Sequence, residues 1–253
     1  MEVHHHSHHP KKWKEYISEF LMLFFAVFLG FMSEYYLEYR AERHKEHDYL
    51  VSMVEDLKAD TTEIAVKNIG MNEVIFSANK LTELAYKKKL TDEDIDSIYF
   101  HSIYITSRII ALNFTVEKIE QLKNAGGFRL IRNQEIVKKL NDYEKSKNTI
   151  QLQQDATFVK WNRIHEIQNS LIHFNVFSPV EKLGKIEFNK SLLNEIAATT
   201  GSKFLKNDKT SFYEYSNNVG VLKGYVSYYQ LMALLQKKKA IELISIIEKE
   251  LTN

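Results

Sequence analysis

One stretch near the start of the chain limits the available folds more than any other. Residues Phe20 to Ser33 read FLMLFFAVFLGFMS, with no charged side chain between Glu19 and Glu34. These 14 residues, if helical, cover ~21 Å at 1.5 Å per residue, short of the ~30 Å hydrocarbon core of a bilayer. The flanks make up the difference. Tyr16 and Ile17 extend the run on one side, and Tyr35, Tyr36 and Leu37 on the other. Tyrosines at both edges, with Trp13 further out, match the aromatic belts of a membrane interface. The expectation is a transmembrane helix over residues 16–37, with Phe20, Leu21, Phe24, Phe25, Val27, Phe28 and Phe31 as its membrane residues.

Three other readings compete with that one. A cleaved secretory signal has an apolar region of this length, and Lys11, Lys12 and Lys14 would be its basic start. No small-x-small cleavage site follows, however, and the helical pattern runs on into charged sequence. A surface amphipathic helix fits worse, because the run is apolar all round. A buried core helix of a soluble protein is the plainest alternative. Charge counting gives a tie for orientation: three lysines precede the run, and Arg40, Arg43 and Lys45 follow it. The lysines lie closer to the apolar run and the arm before it is short. The expected arrangement is therefore residues 1–15 as a cytoplasmic arm and residues 38–253 as an extracytoplasmic domain.

Glycine and proline are scarce in the chain, at 8 and 2 of 253 residues. Few breakers favour long helices over many short strands. The expected class is all-α: the membrane helix continues into a stalk over residues 38–67, followed by an irregular bundle with two long helices over residues 71–253. Gly70 is the expected end of the stalk helix, with a second helix over residues 72–88. Thr91 and Asp94 form a capping box, imperfect for carrying Asp in place of Glu or Gln, for a helix from Asp92 to Leu112. A short helix over Val116–Asn124 stops at Gly126 and Gly127. Asn133 caps a long helix running to His173, with Lys147, Gln154 and Gln168 interrupting its apolar stripe. Residues 175–208 are irregular apart from a short helix over 190–198. A last long helix spans Thr210 to Glu250, and Gly220 and Gly224 on it would permit close helix approach. The two long helices are expected to pair antiparallel.

The chemistry that composition excludes is clear. Without cysteine there are no disulfides, no thiolate nucleophile and no Cys-based metal site. A net charge of +1 and the lack of an aromatic-laced basic patch argue against nucleic acid as a partner. Nucleophile elbow, P-loop, dinucleotide fingerprint and HExxH motif are all missing. No catalytic residue and no cofactor are expected. His4, His5, His6, His8 and His9 form a His-rich start with weak metal-binding character, more simply a solvated tail. Glu34, Glu38, Glu42 and Glu46 recur every four residues as an acidic column, read as a solvated face, and His44 and His47 as surface residues. Asp92, Glu93, Asp94 and Asp96 are read as charges favouring a helix N-terminus.

The segment Ile119–Lys145 is the most informative locally. It sets a Gly-Gly turn between amphipathic helices and flanks it with cations. Lys123, Gly126, Gly127, Arg129 and Arg132 are the candidate ligand- or partner-binding residues, able to hold an anion or a carboxylate. Cations that cap helix ends are the competing explanation.

Two stretches, KKWKEYISEFLMLFFAVFLGFMSEYYLEYRAERHKEHDYLVSMVEDLKADT (residues 11–61) and Leu122–Asn133, resemble a family of membrane-anchored proteins of Bacteroidetes-type bacteria grouped as a domain of unknown function. The His-rich start is similar as well. The resemblance implies a single-pass helical envelope protein and carries no reaction, ligand or catalytic residue. The leading expectation is thus a membrane-anchored, non-catalytic module that binds a partner or scaffolds an envelope complex, with a homo-oligomer or an envelope protein as partner. A ligand sensor coupled to a separate transducer, an enzyme with an unfamiliar site, and a metal binder using the His-rich start are the alternatives.

Overall fold

The computed structural model describes residues 12–107, 110–115, 127–180 and 185–252. The all-α expectation holds: five α-helices carry the described residues, joined by short 3-10 turns and one two-stranded hairpin. The helices are α1 (Trp13–Ala85), α2 (Asp92–Thr106), α3 (Gln134–Leu171), α4 (Lys190–Thr200) and α5 (Lys209–Leu251). The hairpin pairs β1 (Phe177–Val180) with β2 (Lys185–Phe188) antiparallel.

Helix α1 has 73 residues, ~110 Å of unbroken helix. Gly70 does not end it, and the expected second helix over 72–88 is part of α1. An interior glycine costs a helix only ~1 kcal/mol relative to alanine. Here the far half of α1 packs its Met71, Val74, Ala78, Leu81 and Leu84 into the core, each such apolar side chain contributing on the order of 1–3 kcal/mol. The missing side chain at Gly70 also admits Ile110, whose Cδ1 lies 3.4 Å from where a Cβ would stand.

The bundle is more regular than expected, because three long helices share one repeat. On α3, where Ile167 is buried as well, the seam positions are Ile136, Leu140, Tyr143, Lys147, Ile150, Gln154, Thr157, Trp161, Ile164, Gln168 and Leu171. Their spacing alternates four and three without a slip. Helix α5 shows the same alternation through Phe212, Tyr215, Val219, Leu222, Val226, Tyr229, Ala233, Gln236, Ala240, Leu243 and Ile247. Helix α1 keeps it from Glu46 through Leu50, Met53, Leu57, Asp60 and Ile64. A seam that repeats every 3.5 residues keeps one face of each helix turned to its partners along the whole shaft. Helix α5 runs antiparallel to both neighbours: Lys58 pairs with Glu248 and Lys223 with Asn79, while Asn133 reaches Glu250 and Arg163 reaches Glu214. The antiparallel α3–α5 pair is therefore present, with α1 as a third strand rather than a separate stalk.

Helix α2 folds back on the end of α1. Thr91 Oγ1 accepts from Asp94 N at 3.2 Å and Asp94 accepts from Thr91 N at 3.0 Å, completing the capping box. The helix ends at Thr106 rather than Leu112. Residues 110–115 lie outside the helix, and the backbone groups of Leu112 and Thr115 are bound there by buried side chains of the shaft. The expected helix over Val116–Asn124 lies outside the described residues. The hairpin, unforeseen in a segment read as irregular, sets Phe177 opposite Phe188. Both rings pack on Tyr99, at 5.9 and 5.4 Å between centroids. Tyr99 donates to Lys203 O at 2.6 Å and accepts from His173 N at 3.1 Å, tying the cap of the bundle together; burial pushes its hydroxyl pKa up to about 12.

Candidate functional site

Every residue from Lys12 to Ala41 is exposed along the surface of α1. Phe20, Leu21, Phe24, Phe25, Val27, Phe28 and Phe31 are all between 43% and 67% exposed, with Phe24 stacked between Phe20 and Phe28. This is the one helix among the described residues long and apolar enough to cross a membrane. Arg40 lies over the ring of Tyr36 and Arg43 over that of Tyr39, at 6.0 and 5.4 Å.

The first buried side chain after this exposed segment is Glu46, 4% exposed, and it is the centre of a collar at the base of the bundle. Its carboxylate accepts from the backbone N–H of Arg132 at 2.7 Å, from Arg132 Nε at 3.3 Å and from the Arg43 guanidinium. Arg43 also reaches Leu130 O at 3.5 Å, and Arg132 reaches the Tyr39 hydroxyl at 3.4 Å. One residue on, Asn133 caps α3 by accepting from Glu135 N and donates to Glu250 near the end of α5. The collar thus joins the exit of the exposed helix to α3 and α5 within a few residues.

The sequence-derived binding set meets this collar only in part. Arg132 does hold a carboxylate, but the carboxylate belongs to the same chain. Gly127 is buried in the 3-10 turn Gly127–Leu130, and Arg129 points to solvent. Lys123 and Gly126 lie outside the described residues, as do His4, His5, His6, His8 and His9. The acidic column is corrected at its last member: Glu34 and Glu38 are exposed, whereas Glu46 turns into the seam. A signal for this existed, since Glu46 stands four residues before Leu50 in the phase of the α1 seam. His44 and His47 lie on the surface near Asp48.

A second polar constellation crosses the middle of the shaft. Each long helix contributes one polar seam residue at the same level: Asp60 from α1, Lys147 from α3 and Gln236 from α5, exposed by 1%, 6% and 1%. They separate the apolar cluster of Leu57, Leu140 and Ala240 from that of Ile64, Ile150 and Ala233. Asp60 accepts from the Tyr143 hydroxyl at 2.6 Å and from Thr115 N at 2.7 Å. Lys147 donates to Thr115 O at 3.3 Å and pairs with Glu144 at 3.2 Å. Gln236 donates to Tyr143 O at 3.1 Å. Burial, then the charge of Asp60, holds the Tyr143 hydroxyl pKa well above its ordinary value. Two turns along, Leu112 N donates to Gln154 Oε1 at 2.9 Å and to Tyr229 OH at 3.0 Å. The interruptions read at Lys147 and Gln154 are therefore seam residues that fasten the 110–115 segment, and polar groups at such positions fix register.

Acid–base pairing accounts for the charges at the start of α2. Asp94 pairs with Lys87 at 2.7 Å, Asp92 with Lys203 at 3.1 Å, and Asp96 with Lys190. Gly220 and Gly224 permit no close helix approach, because nothing lies within 4 Å of a Cβ built at either. Among the described residues no group of three His, Asp or Glu side chains is placed to hold a metal ion. The buried polar groups of the collar and the mid-shaft layer bond to one another, whereas among the described residues the Gln168 amide, Trp161 Nε1 and Ser216 Oγ are buried without a hydrogen-bond partner. The class these features define is an all-α protein whose long apolar N-terminal helix runs without a break into a three-helix shaft. Comparison of the chain with known family models, curated proteins and solved structures returns no match.

Proposed function

We propose that the chain is a single-pass, non-catalytic protein of the bacterial inner membrane that holds a helical bundle on the periplasmic face as a partner-binding or scaffolding module. The observation that carries this reading is the continuity of α1: one helix provides both the exposed apolar segment and a third of the bundle seam. Only about nine residues separate Leu37 from Glu46, ~13 Å of helix, so the base of the bundle sits close to the headgroups. Arg40, Arg43 and Arg132 lie at that level, with Lys12 and Lys14 at the other end of the span. The resemblance of residues 11–61 and Leu122–Asn133 to a membrane-anchored envelope family belongs to the same proposal.

Partner binding has support on the shaft itself. Val221, Gly224, Tyr228, Leu231 and Leu235 recur at three–four spacing on the outward face of α5, and the four side chains are 41–56% exposed. A second apolar stripe on a helix already buried along its first is the pattern of a seam that takes another helix. Two experiments test the proposal. After carbonate washing the chain stays in the membrane pellet, and a C-terminal tag is digested by protease in spheroplasts; release by carbonate overturns the anchor, and a protected tag overturns the orientation. Because the chain has no cysteine, Leu231→Cys is a clean cross-linking site. Cross-linking in membranes yields a dimer or a discrete adduct, and monomer alone removes the partner-binding part.

A further inference from the structure

The end of the bundle away from the apolar helix opens into a cleft of ≈ 370 Å³, formed where α1 ends, α2 and α5 begin and the loop after α4 passes. Its floor is apolar and aromatic, built from Leu84, Ile95, Phe204, Phe212 and Tyr213. Lys87, Lys88, Lys203 and Lys209 also line it, and no Asp or Glu does. The four lysines are not equivalent. Lys87 is held by Asp94 and Lys203 by Asp92, as given above. Among the described residues Lys88 and Lys209 have no acidic partner. The nearby Asp208 is engaged as the cap of α5, accepting from Ser211 N and Oγ at 2.8 Å each.

The walls are preformed. Gly201 takes φ +79°, a left-handed conformation in which a side chain is strained, and so turns the chain out of α4 along the cleft. The following strand of loop is pinned by the Tyr99 bond to Lys203 O and by Leu205 N donating to Leu171 O at 2.9 Å. Phe204 meets Phe212 edge-on at 4.8 Å, and Tyr213 stacks on Tyr86 at 5.3 Å. The volume falls within the range of small-molecule sites, which combine an apolar lining with a few polar groups.

We propose that this cleft binds a small organic anion, its carboxylate or sulfonate between Lys88 and Lys209 and its apolar body against Phe212 and Tyr213. The inference goes beyond the proposed anchoring role and does not depend on it: its readout is the stability of the bundle, whichever side of a membrane the bundle occupies. The test is thermal unfolding of the full chain in detergent micelles with three probes: 4-phenylbutyrate, its uncharged amide, and inorganic phosphate. The carboxylate raises the melting temperature in a saturable way, and the amide and phosphate do not. Lys88→Ala with Lys209→Ala weakens the apparent affinity about tenfold or more, as expected for losing charge-assisted hydrogen bonds. That variant melts without probe at the parent temperature, and Lys238→Ala with Lys239→Ala on the shaft changes nothing. Equal stabilisation by the amide or by phosphate, no stabilisation by the carboxylate, or an unchanged response in the double lysine variant overturns the proposal. Tyr213→Ala, at a half-exposed ring, gives a second route: it weakens the carboxylate and leaves the response to phosphate as it was.

Discussion

Glu46 is where the collar can be tested with numbers. Replacing it with alanine removes the acceptor of the Arg132 N–H, of Arg132 Nε and of the Arg43 guanidinium at once. Hydrogen bonds to a charged group contribute ~1.5–3 kcal/mol each when buried. The Arg132 side chain is 59% exposed, so its ion pair is discounted toward the ~0–1 kcal/mol of surface pairs. The backbone N–H and the mostly covered Arg43 keep their full weight, which places the loss for Glu46→Ala at ~3–5 kcal/mol. Glu46→Gln keeps one oxygen for the Arg132 N–H but loses the charge and the second oxygen, to which Arg43 and Arg132 Nε donate, at ~2–3 kcal/mol. The assay is urea unfolding of the full chain in micelles in a Trp13→Phe background, which leaves the buried Trp161 as the sole tryptophan. Trypsin sensitivity at Arg129 and Arg132 reports the opening of the base in parallel. If Glu46→Ala unfolds within ~0.5 kcal/mol of the parent, or if Glu46→Gln is as stable as the parent, the carboxylate is not what joins the exposed helix to the bundle.

The mid-shaft layer gives the next expectation: Asp60→Ala strands the Tyr143 hydroxyl and the Thr115 N–H in the core and costs ~3–5 kcal/mol, while Tyr143→Phe costs ~1–3, both read by the same unfolding assay. Leu57→Ala, at a fully buried seam position, costs ~2–5 kcal/mol, and a loss under ~1 would contradict the packing described. Gly220→Ala with Gly224→Ala adds ~1–2 kcal/mol, since both glycines sit in helix interior with open space around a Cβ; destabilisation would show that something packs there. His101 is buried with Nδ1 3.1 Å from Ser77 Oγ, and burial, then the charge of Lys80, lowers its pKa. Both folded and unfolded forms are neutral above the ordinary pKa near 6.5, so stability is full there. Below it the unfolded chain takes up a proton that the folded chain refuses, and stability falls until the lowered pKa is reached. His101→Asn flattens that fall, which has a slope of at most ~1.4 kcal/mol per pH unit for one group. His173, lowered by burial as well, leaves a residual slope in the variant.

What the sequence determined by itself is the local grammar. The uncharged run from Phe20 to Ser33, the scarcity of glycine and proline, the Thr91–Asp94 capping box, the Asn133 cap and the α3 and α5 stripes are all readable there. Each depends on groups within about four residues of one another, and a helix imposes that spacing. Tertiary structure alone decided the rest. Whether Gly70 ends a helix depends on what covers the residues after it, and the far half of α1 is held by α2, α5 and Ile110. Glu46 looked like the fourth member of a solvated column because its partner lies 86 residues away. Lys147 and Gln154 looked like interruptions because the backbone groups they bind belong to residues 32 and 42 positions distant. The lysine-lined cleft unites segments that no local pattern connects: the end of α1, the loop after α4 and the start of α5. Periodicity tells each helix which face to bury. Which partner meets that face, and which polar group answers each buried charge, is settled only when distant segments exclude water together.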